Sequence, residues 1–539
     1  MKKALIAAIN SKYVHTGIAA RSIALYAQGK GADCRFLECA QNEETMKIVH
    51  KILDHGCDIV GLSCYIWNIQ KTLEVADIVK KANPGCAIVL GGPEAAYRTA
   101  QMMEYPFVDA VVQGEGEQPF WQIIIEEIAP KGIVCAQKRM DMDNLPFAYD
   151  DKDLQQGGRI FYYESSRGCP YHCAYCLSAA EDKITYKSLD LVFGELGRFM
   201  QNGCKLVKFI DRTFNSDTKR AERILEYILQ HNKNTEFHFE IAGDRLSERF
   251  LQLVGQFGKG LLRLEVGLQS TNPKTLAAVG RKCDIQMLKE NLARVITQTS
   301  AVVHLDLIAG LPHEDIDSFA CSFNRAFALC PHELQLGFLK VLHGSPLQKM
   351  ADSFGCKYSE WPPYEVIATD SMTAQDLSIL KDIEAVLEHY YNSGSFGCSL
   401  SMILDQFNTP YDTFYQIAMH HKQRGWLDSP HHKRNLFDML HDFAAQYNLA
   451  DRDFCTALLH DYVLALRGAP MPHWTEGLGV RKYPVTTLLH QEMVLDRCEK
   501  YASFDENQRH KHAAALQVGD VAWFISFLDK KIVQIENEI

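Results

Sequence analysis

No apolar run in this 539-residue chain is long enough to cross a bilayer, so a membrane span is not expected. Positive charge is not in excess either. Against 67 Asp and Glu stand 56 Lys and Arg, and a formal net charge of −11 argues against broad capture of nucleic acid through its phosphates. A secretory leader is not expected: the apolar run after Met1-Lys2-Lys3 stops at Asn10-Ser11-Lys12, too early for an h-region and cleavage site. That run reads as a buried first strand. Internal repeats and low-complexity segments are absent. The 17 cysteines are odd in number and irregularly spaced, unlike a small secreted disulfide scaffold. Cys57, Cys64, Cys86 and Cys330 sit singly in apolar runs and read as core-filling thiols in a reducing, cytoplasmic compartment.

What remains is a globular composition, 47% hydrophobic and 23% charged, in a chain too long for one core. Short apolar runs at Ala4–Ile9, Cys34–Cys39, Asp58–Cys64, Ala87–Leu90 and Val108–Val112 alternate with helical stretches, the last near Gln118–Ile128. Such alternation predicts an α/β, doubly wound (Rossmann-like) domain over residues 1–129 that binds its ligand at the strand C-termini. Pro130 to Gly158, with Pro146 and a closing Gly157-Gly158, reads as a linker. A second alternation follows, with strands expected at Ile160–Ser165, Leu206–Asp211, Phe237–Ile241, Leu261–Leu268, Val302–Ala309 and Glu333–Leu342. Six βα units predict a partial (β/α)6 barrel over 159–348 with its chemistry at the strand ends. From Lys349 to the end, helical periodicity dominates, as at Phe437–Tyr447 and Phe454–Leu466, and predicts a mainly α domain.

Only one group of cysteines is clustered. Cys169, Cys173 and Cys176 follow the first barrel strand, in Arg167-Gly168-Cys169-Pro170-Tyr171-His172-Cys173-Ala174-Tyr175-Cys176. Three thiolates on one loop can hold three corners of a 4Fe–4S cubane and leave the fourth without a protein ligand. Zinc is the rival, but a structural zinc site closes four ligands, and no second CxxC follows.

CxxxCxxC after the first strand of a barrel, with an aromatic residue (Tyr175) before the last Cys, resembles the radical S-adenosylmethionine (SAM) superfamily. The resemblance implies that the open iron binds the methionyl amine and carboxylate, and that an electron from a donor such as flavodoxin or ferredoxin releases a 5′-deoxyadenosyl radical. Asp211 and Asn215 after the second strand, Glu240 at the end of the third, and Gln269 and Ser270 at the end of the fourth match the positions of segments that line SAM in that family. The Gly-Gly-Glu usual after the second strand is absent. Capping of the following helices is the structural alternative for these residues.

Loop residues of the first domain gather at one sheet edge: His15-Thr16-Gly17, Ser63 and Tyr65, Gly91-Gly92, and Gly114-Glu115. They resemble the cobalamin-binding domains that precede radical SAM barrels, with Tyr13 where the family has Asp, Gly17 one position early and Tyr65 for Leu. The resemblance implies cobalamin there, with His15 as a candidate cobalt ligand. It also implies a cobalamin-dependent methyltransferase acting on an unactivated carbon by way of the radical and methylcobalamin. Ring formation, contraction or redox chemistry with the same cofactors is the alternative. A third reading is a substrate- or RNA-binding protein with a structural cluster, resting on His420-His421-Lys422-Gln423-Arg424-Gly425-Trp426 and His431-His432-Lys433-Arg434. Tyr162, His304 and His343 are barrel residues that either contact substrate or fill the core. No motif identifies the substrate.

Overall fold

The computed structural model describes residues 2–126, 131–136, 138–180, 183–483, 485, 488, 492–504 and 511–536. Ile128 and Pro130, which the sequence reading used as helix end and linker start, lie outside them.

The first sheet contains β1 (Lys3–Asn10), β2 (Asp33–Ala40), β3 (Ile59–Ser63), β4 (Ala87–Gly91), β5 (Ala110–Gln113) and β6 (Gly132–Cys135). All are parallel, in the order β2-β1-β3-β4-β5-β6. Successive residues of β1 enter opposite cores: Leu5, Ala7 and Ile9 pack on one face, Ala4, Ile6 and Ala8 on the other. Burial on both faces explains why the strands read as continuous apolar runs rather than as an alternation. The strand order reverses between β1 and β3, so the loops after those two strands flank the crevice where such sheets bind ligands. β6 falls inside the stretch expected to be a linker. Its Gly-Ile-Val-Cys core is too short to signal a strand alone, and it forms by pairing with β5.

The second sheet runs in chain order. β7 (Phe161–Tyr163) is followed by a small ribbon of β8 (Ser166–Arg167) and β9 (Thr185–Tyr186), then β10 (Leu206–Phe209), β11 (Glu236–Ile241), β12 (Leu262–Gln269), β13 (Val302–Ala309) and β14 (Glu333–Phe338). Its order is β7-β10-β11-β12-β13-β14, the predicted partial barrel. Here the period is two. Val207, Phe209, Phe237, Phe239, Leu264, Val266, Leu305 and Leu307 are buried under the outer helices. Lys208, His238, Glu240, Glu265, His304 and Asp306 alternate with them and line the concave side.

The chain divides into two compact units, one of Met1–Ser322, Leu329–Pro331 and Gln335–Ala374, the other of Phe323–Ala328, His332–Leu334 and Gln375–Ile539. The first unit thus extends past the expected boundary at 349. A hairpin of β15 (Lys357–Tyr358) and β16 (Val366–Ala368) is tied to the chain after β14, with Val366 N donating to the Leu339 carbonyl and Val341 N to that of Tyr364. In the second unit, helices Ala374–Leu387, Gly397–Leu404, Pro410–Gln423, Lys433–Gln446 and Arg452–Ala465 bear out the helical reading. An antiparallel sheet of β17 (Val480–Lys482), β18 (Ala513–Val518), β19 (Val521–Ser526) and β20 (Lys531–Glu536) was not foreseen. Its strand Ala-Ala-Ala-Leu-Gln-Val carries a helix-like composition, and only its partners make it a strand.

Candidate functional site

Cys169, Cys173 and Cys176 stand on the loop that leaves β8, just beyond the C-terminal end of β7, and all three thiols are free. Cys173 is buried and the other two are half-buried. The loop begins at Gly168, φ +100°, where a Cβ would stand 2.5 Å from the Lys183 carbonyl oxygen. Beyond it, Ala174 N donates to the Val279 carbonyl at 2.8 Å and Leu347 N to the Ala174 carbonyl at 2.8 Å. Behind the loop, Asp211 is 1% exposed. It accepts from Ser165 N at 2.7 Å, Ser165 Oγ at 2.5 Å and Ser166 Oγ at 2.8 Å. Asp211 therefore anchors the strand end that launches the thiols. Burial pushes its carboxyl up, and the serine hydrogen bonds pull the other way.

Two polar groups face the sulfurs. Thr213 Oγ1, which donates to the Arg212 carbonyl at 2.7 Å, lies 3.5 Å from Cys169 Sγ. Arg281 Nη1 lies 3.8 Å from Cys173 Sγ and 3.4 Å from Tyr175 OH, while its Nη2 donates to the Gly267 carbonyl. Arg281 is 108 positions from Cys173, and no sequence spacing could have paired them.

The concave side of the barrel is a charged chamber. Lys208 Nζ is 2.9 Å from Glu265 Oε2, and His238 Nε2 is also 2.9 Å from it. Burial opposes the Glu265 charge, yet His238 and Lys208 hold that carboxyl down at about 2. Glu240 has the opposite fate: burial, and then the Glu265 charge, push its carboxyl up to about 7. Two carboxyls on neighbouring strands thus take different protonation states near neutrality, one a fixed anion and one able to donate. Asp306 is also pushed up by burial and pairs with His304 at 3.1 Å.

The remaining barrel candidates divide. Asn215 is structural: its Nδ2 donates to the Ala242 and Arg245 carbonyls and its Oδ1 accepts from Ala242 N at 2.8 Å. Ser270 is fully buried and donates to Glu314 Oε1 at 2.5 Å. Gln269 is different. Its backbone is left-handed, φ 69°, and its side-chain Oε1 is buried without a protein partner. Strain and an orphan acceptor at one strand end mark a place for a ligand. His343 bonds Gln348 and packs edge-on against Tyr364, a structural role.

The C-terminal edge of the first sheet lies along β7. His15 Nδ1 is 2.7 Å from Tyr162 OH. Burial lowers its pKa, as do Lys12, Lys208 and Arg159, so the ring stays neutral near pH 7. Thr16 Oγ1 contacts Tyr149 OH at 2.9 Å and the Ile160 carbonyl at 3.0 Å. The half-buried Tyr65 stacks on Trp67 at 4.4 Å, near enough to Glu164 and Arg212 for their charges to act on its phenol. Arg167, two residues before Cys169, is gripped by Glu117 at 2.7 Å, Glu164 at 2.9 Å and Glu115 at 3.7 Å. Those carboxylates drive its pKa up against the effect of burial. Burial pushes Glu164 to about 6 even beside Arg167.

The glycines of this edge serve the fold more than a ligand. A Cβ at Gly92, φ +90°, would stand 2.6 Å from the Cys64 carbonyl oxygen, and one at Gly17 would stand 2.9 Å from Ala8 Cβ. Gly91 is open, with only Val112 Cβ at 3.8 Å, and Gly114 has φ +89°. Ser63 Oγ reaches the Ala7 carbonyl at 3.5 Å. Among the residues that face outward at the β1 and β3 loops are three large apolar ones, Tyr13 at 68% exposed, Val14 at 36% and Trp67 at 44%, beside the exposed Ser11 and Lys12. Exposed aromatic side chains in loops at a strand-order reversal suit contact with a large ring system.

In the basic and aromatic segments of the second unit, Lys422 and Arg424 are exposed and paired with Asp382 at 2.6 Å and Asp442 at 2.9 Å. His420 and His421 are buried and pack against Trp426, and His421 Nε2 bonds Tyr390 OH at 2.7 Å.

Fold and site define a parallel α/β sheet domain whose strand order reverses between β1 and β3, joined to a partial barrel that carries three free thiols at its mouth. Three family models agree in the same order: B12 binding domain over residues 4–124, Radical SAM superfamily over 163–324, and Protein of unknown function (DUF4080) over 352–530. The chain thus carries a B12 binding domain, then a radical SAM domain, then a region matching a domain of unknown function, and the cofactors that go with the first two are cobalamin, a 4Fe–4S cluster and SAM. It is 24% identical over 422 residues to 2-(S-pantetheinyl)-carbapenam-3-carboxylate methyltransferase of Streptantibioticus cattleyicolor, covering 67% of this chain and 60% of that protein. It is 24% identical over 417 residues to the cobalamin-dependent radical SAM methyltransferase TokK of Streptomyces tokunonensis, with the same coverage. The chain thus spans about 60% of the length of these curated relatives. The fold is that of the cobalamin-dependent SAM radical enzyme OxsB, with a TM-score of 0.58 at 13% identity over 95% of this chain and 83% of that one. Among the described residues no helix is long and apolar enough to cross a membrane.

Proposed function

We propose that the protein is a cobalamin-dependent radical SAM methyltransferase that adds a methyl group to an unactivated carbon. The observation that carries this reading is the loop of three free thiols at the barrel mouth, lying against the ligand-binding edge of a B12 domain. Cys169, Cys173 and Cys176 hold the cluster. The ligand set fits: three thiolates suit iron–sulfur ligation, and Arg281 supplies a hydrogen-bond donor to the Cys173 sulfur. Gln269 and Glu240 are the cofactor-facing residues on the concave side, while Asp211, Asn215 and Ser270 position the loops around them. The loops bearing His15, Thr16, Ser63, Tyr65, Gly91, Gly114 and Glu115 hold cobalamin, and Gly17 and Gly92 shape those loops. With Nδ1 engaged by Tyr162, His15 keeps Nε2 as its cobalt-competent nitrogen.

When bound, these groups supply one-electron cleavage of SAM and a carrier for a methyl group. The chain does the rest. Arg167 fixes the cysteine loop to Glu115 and Glu117 of the first domain, so that cluster and cobalamin edges keep one register. Glu265 and Lys208 give the chamber a fixed ion pair, and Glu240, about half protonated at pH 7, can donate a hydrogen bond toward a bound polar group. Burial of this chamber excludes water from a reactive intermediate. The free state of all 17 cysteines fits a reducing, cytoplasmic setting, and a small flavodoxin- or ferredoxin-type donor supplies the electron.

The test is anaerobic turnover of reconstituted protein with methyl-labelled SAM and candidate substrates. Methyl transfer predicts S-adenosylhomocysteine and 5′-deoxyadenosine together. 5′-Deoxyadenosine alone would overturn methylation in favour of ring-forming or redox chemistry.

A further inference from the structure

The second unit brings together a thiol, an imidazole and a carboxylate that the cluster chemistry does not use. Cys398 lies near the start of the helix Gly397–Leu404, and His460 and Asp461 lie in the helix Arg452–Ala465 packed against it. Cys398 Sγ is 3.4 Å from His460 Nδ1, and His460 Nδ1 is 3.6 Å from Asp461 Oδ1. One donor atom from each residue lies within 4.8 Å of the others. A tetrahedral ion with Zn–S near 2.3 Å and Zn–N or Zn–O near 2.0 Å has ligand-to-ligand edges of about 3.5 Å for S to N and about 3.3 Å for N to O. The Sγ–Nδ1 distance of 3.4 Å matches the first edge, and the Nδ1–Oδ1 distance of 3.6 Å is slightly longer than the second.

The carboxylate is already oriented. Asp461 is buried, and its Oδ2 accepts from Ser399 N at 2.8 Å and Ser399 Oγ at 2.7 Å. Its Oδ1 has the longer contact, 3.2 Å from Cys398 N, and is the oxygen turned to the histidine. Hydrogen bonding on one oxygen with the other offered is how outer-shell partners fix a ligating carboxylate. An entry path exists as well. Cys398 is exposed, and His460 lines an open cavity of about 360 Å³ with Asp496, Arg497, Glu499, Lys530 and Lys531.

We propose that Cys398, His460 and Asp461 form a second metal site, for a zinc-type divalent ion, with three protein ligands and one position open to solvent. Thiolate and imidazole donors select zinc or its cobalt substitute, whereas magnesium and calcium require all-oxygen sets. A bound ion would pin the Gly397–Leu404 helix to the Arg452–Ala465 helix. The competing account is a plain thiol–imidazole hydrogen bond beside a helix-capping aspartate.

The experiment uses full-length protein with its cluster reconstituted, exposed to zinc or cobalt and then freed of loose metal by gel filtration. The proposal expects about one retained zinc per chain. With cobalt it expects a thiolate-to-metal charge-transfer band in the near ultraviolet. Cys398→Ser and His460→Gln should lower retention at least tenfold. Cys455→Ser, on the same helix but outside the trio, should keep it. To separate this site from the cluster loop, the cobalt band should persist in the Cys169→Ala/Cys173→Ala/Cys176→Ala chain. Zinc should also raise the unfolding temperature of wild type and not of Cys398→Ser, which guards against variants that bind nothing because they fail to fold. Equal retention in wild type and Cys398→Ser, or a cobalt band that vanishes with the three loop cysteines, would overturn the proposal.

Discussion

Replacing Glu240 by Gln isolates the protonation chemistry of the chamber. The folded chain keeps the Glu240 proton up to a pH of about 7, against an ordinary value of 4.5, because burial and the Glu265 anion disfavour its charge. An unfolded chain releases that proton near 4.5. Between the two values the folded state binds more protons, so this group makes stability fall as pH rises through the window and levels off above it. At 1.36 kcal/mol per pH unit, the loss accumulates to roughly 3 kcal/mol by pH 8 and is under about 1 kcal/mol at pH 5. Glutamine keeps the shape and has no proton to lose. Urea unfolding of the anaerobic apo-protein, followed by circular dichroism, should give Glu240→Gln and wild type similar stability at pH 5. The variant should be more stable by roughly 2 to 3 kcal/mol at pH 8. A difference that does not change with pH would refute the assignment of a proton to this carboxyl.

Other consequences follow from the same contacts. Arg281→Gln removes a cation from beside the Cys173 sulfur and should lower the midpoint potential of the cluster at unchanged iron content, read by an EPR-monitored redox titration. An unaltered potential would show that Arg281 only braces the Gly267 carbonyl. Arg167→Gln leaves Glu115, Glu117 and Glu164 facing one another, and should destabilise the first unit by about 3 kcal/mol or more in denaturant unfolding. Gly92→Ala sets a Cβ against the Cys64 carbonyl in a left-handed backbone and should cost about 2 kcal/mol or more, by the same measurement. Asp211→Ala releases Ser165 and Ser166 and should reduce iron retained after reconstitution while leaving the three thiols titratable.

Much of this fold is legible in the sequence because its sheets obey simple periods. Strands buried on both faces, such as Leu5 to Ile9, read as apolar runs; strands facing a chamber, such as Leu262 to Gln269, alternate residue by residue. β6 and the terminal sheet escape because their segments are short or alanine-rich and become strands only through their partners. Val521–Ile525, a five-residue apolar run, is a local signal that could have revealed that sheet. The same division governs the site. Cys169, Cys173 and Cys176 are visible because one loop supplies all three. Arg281, Lys208 and Glu265 are not, because each meets its partner only after the barrel closes across dozens of residues. Glycine gave the least reliable signal: Gly17 and Gly92 sit where a ligand loop was expected, yet the space they leave is filled by Ala8 and Cys64 of the protein itself.

The most direct measurement is the iron content and reduced EPR spectrum of anaerobically reconstituted protein, with and without SAM. A cluster held by Cys169, Cys173 and Cys176 with one open iron predicts about four irons per chain, lost in the triple alanine variant, and a spectrum that shifts when SAM is added. Iron that survives removal of the three thiols, or a spectrum indifferent to SAM, would contradict it.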